Sequence, residues 1–216
     1  MTRTKGFFKS WKWRVIKPLI LLFISLCFIG VSIGIIWFAT LKIPDLSVFE
    51  ERKVAESTKI FDRTGEILLY DVHSDAKRTL IAFEDISRNI KNATIAIEDL
   101  EFYEHKGIKP TAILRAVLAN ITPGAGLTQG GSTITQQVIK NSVLTKDKTI
   151  TRKLKEWILA LKLEKVLTKD QILNTYLNEN PYGGSIYGVE EASKTFFGKS
   201  AKDVTLTEAA YIAAIP

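Results

Sequence analysis

The longest feature of the hydrophobic pattern is an uncharged, largely apolar run over residues 18–41. As a helix, this run would span about 36 Å at 1.5 Å per residue, which exceeds the roughly 30 Å hydrocarbon core of a bilayer. Trp11, Trp13 and Trp37 lie near its two ends, where indole rings favour the membrane interface. The pattern therefore predicts one transmembrane helix, followed by a linker over residues 42–56.

Residues 57–216 are predicted to form one domain that begins with a small β element. Two short apolar runs flank the sequence D-R-T-G at 62–65, a pattern typical of a β-hairpin in which Gly65 adopts positive φ. A further short strand is predicted over 78–83.

Helical spacing of apolar residues dominates from Glu84 onwards, and the predicted fold class is mainly α. Thr133 and Gln136 have the spacing of a capping box. Helices are predicted up to Glu98, from Pro110 to Ile121, from Thr133, and over 151–166, 168–178, 187–197 and 206–215, with a mobile glycine-rich loop over 122–131. In the helix over 151–166, the core-facing stripe is predicted to be Leu154, Trp157, Ile158 and Leu161.

The distribution of charge along the chain predicts the orientation of the transmembrane helix. The formal net charge is +7, and residues 1–17 hold six of the 30 basic residues and no acidic residue, so the remaining 24 face 23 acidic ones. A basic tail before a membrane helix predicts a cytoplasmic amino terminus and a domain on the outer face. Since the rest is nearly neutral, nucleic-acid binding is not expected. The single Cys27 and the two histidines predict neither a disulfide nor a metal cluster.

The first candidate for chemistry is Glu98, which follows an apolar segment. Its carboxylate is predicted to lie against packed apolar surface, with Asp99, Glu101 and Glu104 adding like charge. Both effects raise a carboxylate pKa, which suits a general acid or base. The alternative is a solvated acidic helix end. His105 is interpreted as a structural hydrogen-bonding residue.

Two further segments carry polar residues with helical spacing. After the glycine pair at 130–131, Gln137, Lys140 and Asn141 share one helix face that could hold sugar hydroxyls and a phosphate, or simply face solvent. Arg152, Lys155 and Glu156 are predicted opposite the apolar stripe, either as an exposed ion pair or as a second carboxylate with cations that neutralise a pyrophosphate. The preceding loop adds Lys146 and Lys148, and Asn178 ends a helix before a tight turn.

Four motifs support a resemblance to a known family. They are E-D-x-x-F-Y-x-H-x-G at 98–107, G-G-S-T-I-T-Q-Q at 130–137, R-K-x-K-E at 152–156, and Y-L-N followed by Y-G-V-E-x-A-S-x-x-F-F-G-K within 176–199. In this order the motifs resemble the peptidoglycan glycosyltransferases of glycosyltransferase family 51. This family supplies the amino-terminal domain of class A penicillin-binding proteins and the monofunctional enzymes. The resemblance covers roughly residues 57–216.

The resemblance implies a lysozyme-like helical fold with a membrane-dipping jaw, and the polymerisation of lipid II into β-1,4 glycan strands with release of undecaprenyl pyrophosphate. It implies that Glu98 is the general base for the acceptor hydroxyl and that Glu156 is a second carboxylate that supports the donor site or a divalent cation. Substrate-binding roles are implied for Asp99, Phe102, Ser132, Gln137, Lys140, Asn141, Lys148, Arg152, Lys155 and Asn178.

The resemblance also implies Mg²⁺ or Mn²⁺ bridging the substrate pyrophosphate, although no set of protein ligands is evident. The expected partners are lipid II, the growing glycan chain, membrane lipid and other cell-wall synthesis proteins, at the bacterial cytoplasmic membrane. Members of the family continue beyond the position of Pro216, so the sequence is expected to be a fragment or a short monofunctional enzyme. No transpeptidase activity is expected of it.

Two other functions are consistent with the same residues. A lysozyme-like, glycan-cleaving enzyme also needs an acidic residue, but it does not need the cationic set at 140–155. An inactive, membrane-anchored scaffold that binds glycan would not need Glu98 and Glu156.

Overall fold

The computed structural model describes residues 4–40, 58–72, 76–112, 131–142, 144 and 149–216. The chain divides into two units, Met1–Lys42 and Ile43–Pro216. The first unit is one helix, and the second combines several helices with short strands. The predicted class, mainly α with a small β-hairpin and one apolar helix at the amino terminus, is confirmed.

Helix α1 extends over Thr4–Ala39 and contains Pro18. It therefore begins well before residue 18, where the uncharged run starts. Its apolar segment Ile16–Trp37 is long enough to cross a membrane. The large side chains of Phe23 and Phe28, for example, are 69% and 71% exposed. Such exposure is favourable in hydrocarbon rather than in water, which supports the predicted transmembrane helix.

The predicted hairpin is confirmed. Strands β1 (Thr58–Phe61) and β2 (Leu68–Val72) pair antiparallel. Gly65 has φ of 77° in the turn between them. The Asp62 carboxylate accepts hydrogen bonds from the Thr64 hydroxyl at 2.8 Å and from the Ile67 backbone N–H at 3.1 Å. These bonds hold the pKa of Asp62 below its ordinary value, the Thr64 bond contributing most.

The strand predicted over 78–83 is wrong beyond Arg78. Strand β3 covers only Lys77–Arg78 and pairs in parallel with β4, Ile186–Tyr187. The backbone of Ile81 instead bonds the Asn178 side chain, whose Oδ1 accepts from the N–H and whose Nδ2 donates to the carbonyl, both at 3.0 Å. These bonds to a helix side chain replace the bonds that a neighbouring strand would form. The strand therefore does not continue, and the chain forms a short 3₁₀ helix at Phe83–Asp85.

The helical part contains α2 (Arg88–Glu98), α3 (Ile134–Ser142), α4 (Ile150–Val166), α5 (Lys169–Glu179), α6 (Val189–Phe197) and α7 (Leu206–Ala213). Helix α3 packs against both α4 and α5, and α2 packs against α7. The helices share one buried core, which includes Ile90, Ile134, Ile139, Leu159, Leu163, Leu173, Leu177, Val189 and Ile212. The structure describes the helix that starts at Pro110 as far as Ala112, so the rest of the predicted jaw and most of the glycine-rich loop lie outside the described residues.

The buried face of α4 differs from the prediction. Leu159, Ala160 and Leu163 are buried, whereas Leu161 is 38% exposed and Leu154, Trp157 and Ile158 are only partly buried. Helix α4 carries apolar residues on two sides, and helical period alone does not select between them. The buried side also includes Glu156, because cations beside this carboxylate compensate its charge.

Gly188 should be less tolerant of a side chain than Gly198, although both have positive φ (80° and 69°). A Cβ at Gly188 would lie 2.6 Å from the backbone oxygen of Asn178, whereas Gly198 has open space. We expect Gly188→Ala to lower the free energy of unfolding by about 3 kcal/mol or more and Gly198→Ala by about 1 kcal/mol. Urea denaturation of the full chain in detergent measures both, and equal losses would contradict the assignment.

Candidate active site

Glu98 lies at the end of α2, where it is partly exposed and held by one side chain. Helix α2 begins at a Ser87 cap, whose hydroxyl accepts from the Ile90 N–H at 3.1 Å. At the other end, Gln137 Nε2 on α3 donates to Glu98 Oε2 at 2.6 Å. The carboxylate is therefore oriented by an amide of the neighbouring helix and still accessible to a ligand.

Two buried tyrosines lie within electrostatic range of Glu98. Tyr176 on α5 and Tyr182 after it are each 2% exposed. Burial raises the pKa of both phenols, and the negative charge of Glu98 raises them further. Both phenols therefore stay protonated over the physiological pH range. The expectation that Glu98 lies against packed apolar surface stays a prediction.

Of the acidic residues expected to add like charge around Glu98, Asp99 and Glu101 each have a close partner. Asp99 is 3% exposed, and its Oδ2 lies 2.7 Å from His105 Nε2. Glu101 forms an ion pair with Lys109 at 3.1 Å. Each of these neighbouring acids therefore has its own partner, and Glu98 is the one that bonds the neutral amide of Gln137.

A second group surrounds Glu156 on α4. This carboxylate is 1% exposed, so the exposed ion pair considered as its alternative is excluded. Oε1 forms an ion pair with Lys153, and Oε2 lies 3.9 Å from Arg152 NH1. Among the described residues Oε2 has no hydrogen-bond partner, although it is buried. The group is a buried carboxylate with two cations beside it.

Lys153 is the residue of this group that the sequence analysis missed. Its Nζ bonds Glu156 and also donates to Ser132 Oγ at 2.7 Å, so one cation joins α4 to the segment before α3. The spacing of Lys153 and Glu156 (i, i+3) could have indicated their contact. The bond to Ser132 could not be found in this way, because it joins residues that are far apart in the sequence.

The remaining predicted residues fall into different environments. Lys140 and Asn141 are exposed at the end of α3, and Lys155 is partly buried on α4. Asn141 donates to Asn180 Oδ1 at 3.0 Å beside a shallow groove between α3 and α5. Phe102 is fully buried. The Asn178 side chain is also buried and bonds the backbone of Ile81. Lys146 and Lys148 lie outside the described residues.

The carboxylates of the part of the chain that the structure describes are candidate ligands for a divalent cation. Among the described residues, no three His, Cys, Asp or Glu side chains gather as a metal-binding group. Glu156, the acid expected to support a cation, already lies beside Lys153 and Arg152. A carboxylate whose charge is compensated in this way is a poor ligand for a divalent ion.

Comparison with known proteins gives one consistent result. A family model described as Transglycosylase matches residues 65–216. The chain is similar to penicillin-binding protein 1A of Clostridium tetani, with 40% identity over 201 residues that make up 92% of this chain and 25% of the relative. It is also 40% identical to penicillin-binding protein 1F of Bacillus subtilis over 213 residues, 97% of this chain and 28% of the relative. The chain thus spans about a quarter of the length of these curated relatives.

The Lys153–Glu156 pair should contribute measurably to stability. Lys153→Met leaves a buried carboxylate with only the more distant Arg152 beside it. We expect the free energy of unfolding to fall by about 2 kcal/mol, less than for a fully buried pair because Lys153 is 34% exposed. The loss should be smaller in the Lys153→Met/Glu156→Gln double variant, which has no buried carboxylate left to compensate.

Urea denaturation of the full chain in detergent measures these losses. Lys162→Met, at an exposed position of the same helix, is the matched control and should change stability little. Equal losses for Lys153→Met and Lys162→Met would show that the Glu156 ion pair does not stabilise the fold.

Proposed function

This chain belongs to the transglycosylase family, and we propose that it polymerises lipid II into β-1,4-linked glycan strands with release of undecaprenyl pyrophosphate. The observation that carries the proposal is the Glu98 carboxylate, which is accessible and oriented by Gln137 at 2.6 Å. A general base must lie within hydrogen-bond reach of the proton that it removes. Glu98 meets this requirement for a sugar hydroxyl that approaches its free oxygen.

Glu98 would take the proton from the 4-hydroxyl of the acceptor as that oxygen attacks the anomeric carbon of the donor. Because the bond to Gln137 uses Oε2, Oε1 remains for the acceptor hydroxyl. The new C–O bond forms while the bond from the anomeric carbon to the pyrophosphate oxygen breaks, with inversion. The proton moves to Glu98, and the electron pair leaves with the pyrophosphate.

The leaving pyrophosphate would be stabilised by cations of α3 and α4. Lys140 and Lys155 lie on these helices, Arg152 is fixed beside Glu156, and Lys148 is a further candidate. Fixed positive charge near growing negative charge is commonly the largest catalytic contribution. Glu156 would support the donor site by holding Arg152 and Lys153 in place. Ser132, Gln137 and Asn141 would contact sugar or phosphate groups.

A divalent cation remains a separate proposal. Since the described carboxylates do not form a metal-binding group, Mg²⁺ or Mn²⁺ would be carried mainly by the pyrophosphate oxygens of the substrate. No step described above requires a protein ligand to that ion.

The alternative functions are not favoured. A hydrolase of neutral glycan has no use for the cations around Glu156, whereas a transferase that uses a lipid pyrophosphate does. An inactive scaffold would not need an acid held in an accessible position by a neighbouring amide. Membership of the transglycosylase family agrees with transfer.

Glu98→Gln should abolish polymerisation. The amide is nearly isosteric with the carboxylate but cannot accept the acceptor proton, so we expect kcat to fall by about 100- to 10,000-fold. The assay uses the full chain in detergent with labelled lipid II, and the products are separated by length. Glu104→Gln, at an exposed position of the same acidic segment, is the control and should keep native activity. Equal glycan synthesis by both variants, or shortening of added glycan by the native chain, would contradict the proposal.

We also propose that the amino terminus is cytoplasmic and that residues 57–216 act on the outer face of the membrane, where they would meet membrane lipid and other cell-wall synthesis proteins. Support comes from the basic residues before the Ile16–Trp37 segment. In a Cys27→Ser background, a membrane-impermeant thiol reagent should label Lys202→Cys in intact cells, because the Lys202 side chain is 62% exposed. Ser10→Cys should be labelled only after permeabilisation, and the reverse pattern would refute this orientation.

A further inference from the structure

The residue that follows the proposed base along the chain is buried. Asp99 is 3% exposed, so its carboxylate is not available to a large substrate. Its Oδ2 accepts from the backbone N–H of Ile134, the first residue of α3, at 3.2 Å. A carboxylate at this position also interacts favourably with the positive end of the helix dipole. Asp99 therefore connects the end of α2 to the start of α3.

The hydrogen bonds of His105 define which of its nitrogens carries the proton. The backbone N–H of Gly107 donates to His105 Nδ1 at 3.1 Å. Because a backbone N–H can only donate, Nδ1 must be unprotonated. The proton of the neutral ring then lies on Nε2, which is 2.7 Å from Asp99 Oδ2 and donates to it. The geometry therefore requires a neutral imidazole in its Nε2–H form.

The same contacts continue to the cap of α3 and to α4. The Gly107 carbonyl accepts from Thr133 Oγ1 at 2.7 Å, and the Thr133 N–H donates to Gln136 Oε1 at 2.9 Å. Gly107 has φ of 89°, and a Cβ there would lie 2.8 Å from the backbone oxygen of Ala160 on α4. We call Asp99, His105, Gly107, Thr133 and Ile134 the Asp99 network; it joins α2 to the start of α3 and approaches α4.

We propose that Asp99 and His105 are positioning residues, which keep α3 in the place where Gln137 orients the Glu98 carboxylate. This inference rests on the proposed role of Glu98 as the base. Glu98 and Asp99 are adjacent, and Gln137 lies one helical turn after Ile134, so a shift of α3 changes the 2.6 Å bond between Gln137 and Glu98. His105 acts by hydrogen bonding and transfers no proton in the reaction.

The surroundings of the pair suit a fixed role. Asp99 Oδ1 lies 3.7 Å from Lys109 Nζ, which compensates the buried negative charge. The ring of Phe102, itself fully buried, meets the His105 ring edge-on at a centroid distance of 6.2 Å. Packing and hydrogen bonds together hold the imidazole in one orientation.

Two substitutions at His105 distinguish the contributions of its two hydrogen bonds, one to Asp99 and one from the Gly107 N–H. The amide of His105→Gln can reach the position of Nε2 and donate to Asp99 but leaves the Gly107 N–H without its acceptor. The amide of His105→Asn lies near the position of Nδ1 and cannot reach Asp99. We expect kcat to fall by about 10-fold or more in His105→Gln and by about 100-fold in His105→Asn, with KM for lipid II near its native value. Native kcat in both variants, or a loss confined to KM, would overturn the proposal.

A second measurement does not depend on activity or on the folding of a His105 variant. The sequence has only two histidines, so nitrogen NMR of the native chain with ¹⁵N-labelled histidine can be assigned with the variant His73→Gln. We expect an unprotonated Nδ1 and a protonated Nε2 for His105 at neutral pH. An Nδ1–H ring or an imidazolium would contradict the network. A native chain that makes no glycan would refute the proposed function, whereas an active native chain with fully active His105 variants would refute the positioning role alone.

Discussion

The arrangement of the site depends on how the start of α3 is fixed. Three elements meet there: the end of α2 through Asp99, the turn at Gly107 through the Thr133 hydroxyl, and α4 through Lys153 and Ser132. Further along α3, Thr135 donates to Glu164 of α4 at 2.6 Å. These contacts determine the position of Gln137, which lies on the next turn of α3. The hydrogen bond by which Gln137 orients Glu98 thus depends on contacts that do not involve Glu98 itself.

The three carboxylates of the region differ in their partners, and the difference separates their roles. Asp99 and Glu156 are buried, and each has a cation within 4 Å, Lys109 for the first and Lys153 with Arg152 for the second. Isolated burial of a charge is strongly unfavourable, so these partners stabilise the fold. Glu98 is partly exposed and bonds a neutral amide. Of the three, Glu98 is therefore the acid whose surroundings best suit the proposed role of base.

Features that depend on neighbours in sequence were predictable. The capping box of Thr133 and Gln136 is formed as expected, with bonds of 2.9 and 3.1 Å, because it involves residues three apart. The hairpin at Gly65 and the helix up to Glu98 follow from equally local patterns. The resemblance to a family, carried by four separated motifs, indicated candidate site residues without their geometry.

Features that depend on tertiary packing were not predictable. The helical period of α4 fitted two apolar faces, and only the packing of α3 shows that Leu159 and Leu163 lie inside. The strand expected up to Phe83 fails because Asn178, far away in the sequence, bonds the Ile81 backbone. Lys153 and Ser132 likewise meet only once α3 and α4 are in place. The roles of Asp99 and His105 as contacts between helices have the same origin.

The cations around Glu156 bear on how the proposed leaving group would be stabilised. Lys153 is held by Ser132 and Glu156, and Arg152 lies near the same carboxylate, so neither has to be ordered when a substrate binds. The carboxylate compensates one positive charge and leaves the group with an excess of one. Charges that are already fixed need no reorganisation as negative charge develops on a pyrophosphate, which is the condition under which electrostatic stabilisation is most effective. In the proposed reaction, a buried acid such as Glu156 would therefore assist the formation of an anion by holding cations in place, without contact to the reacting atoms.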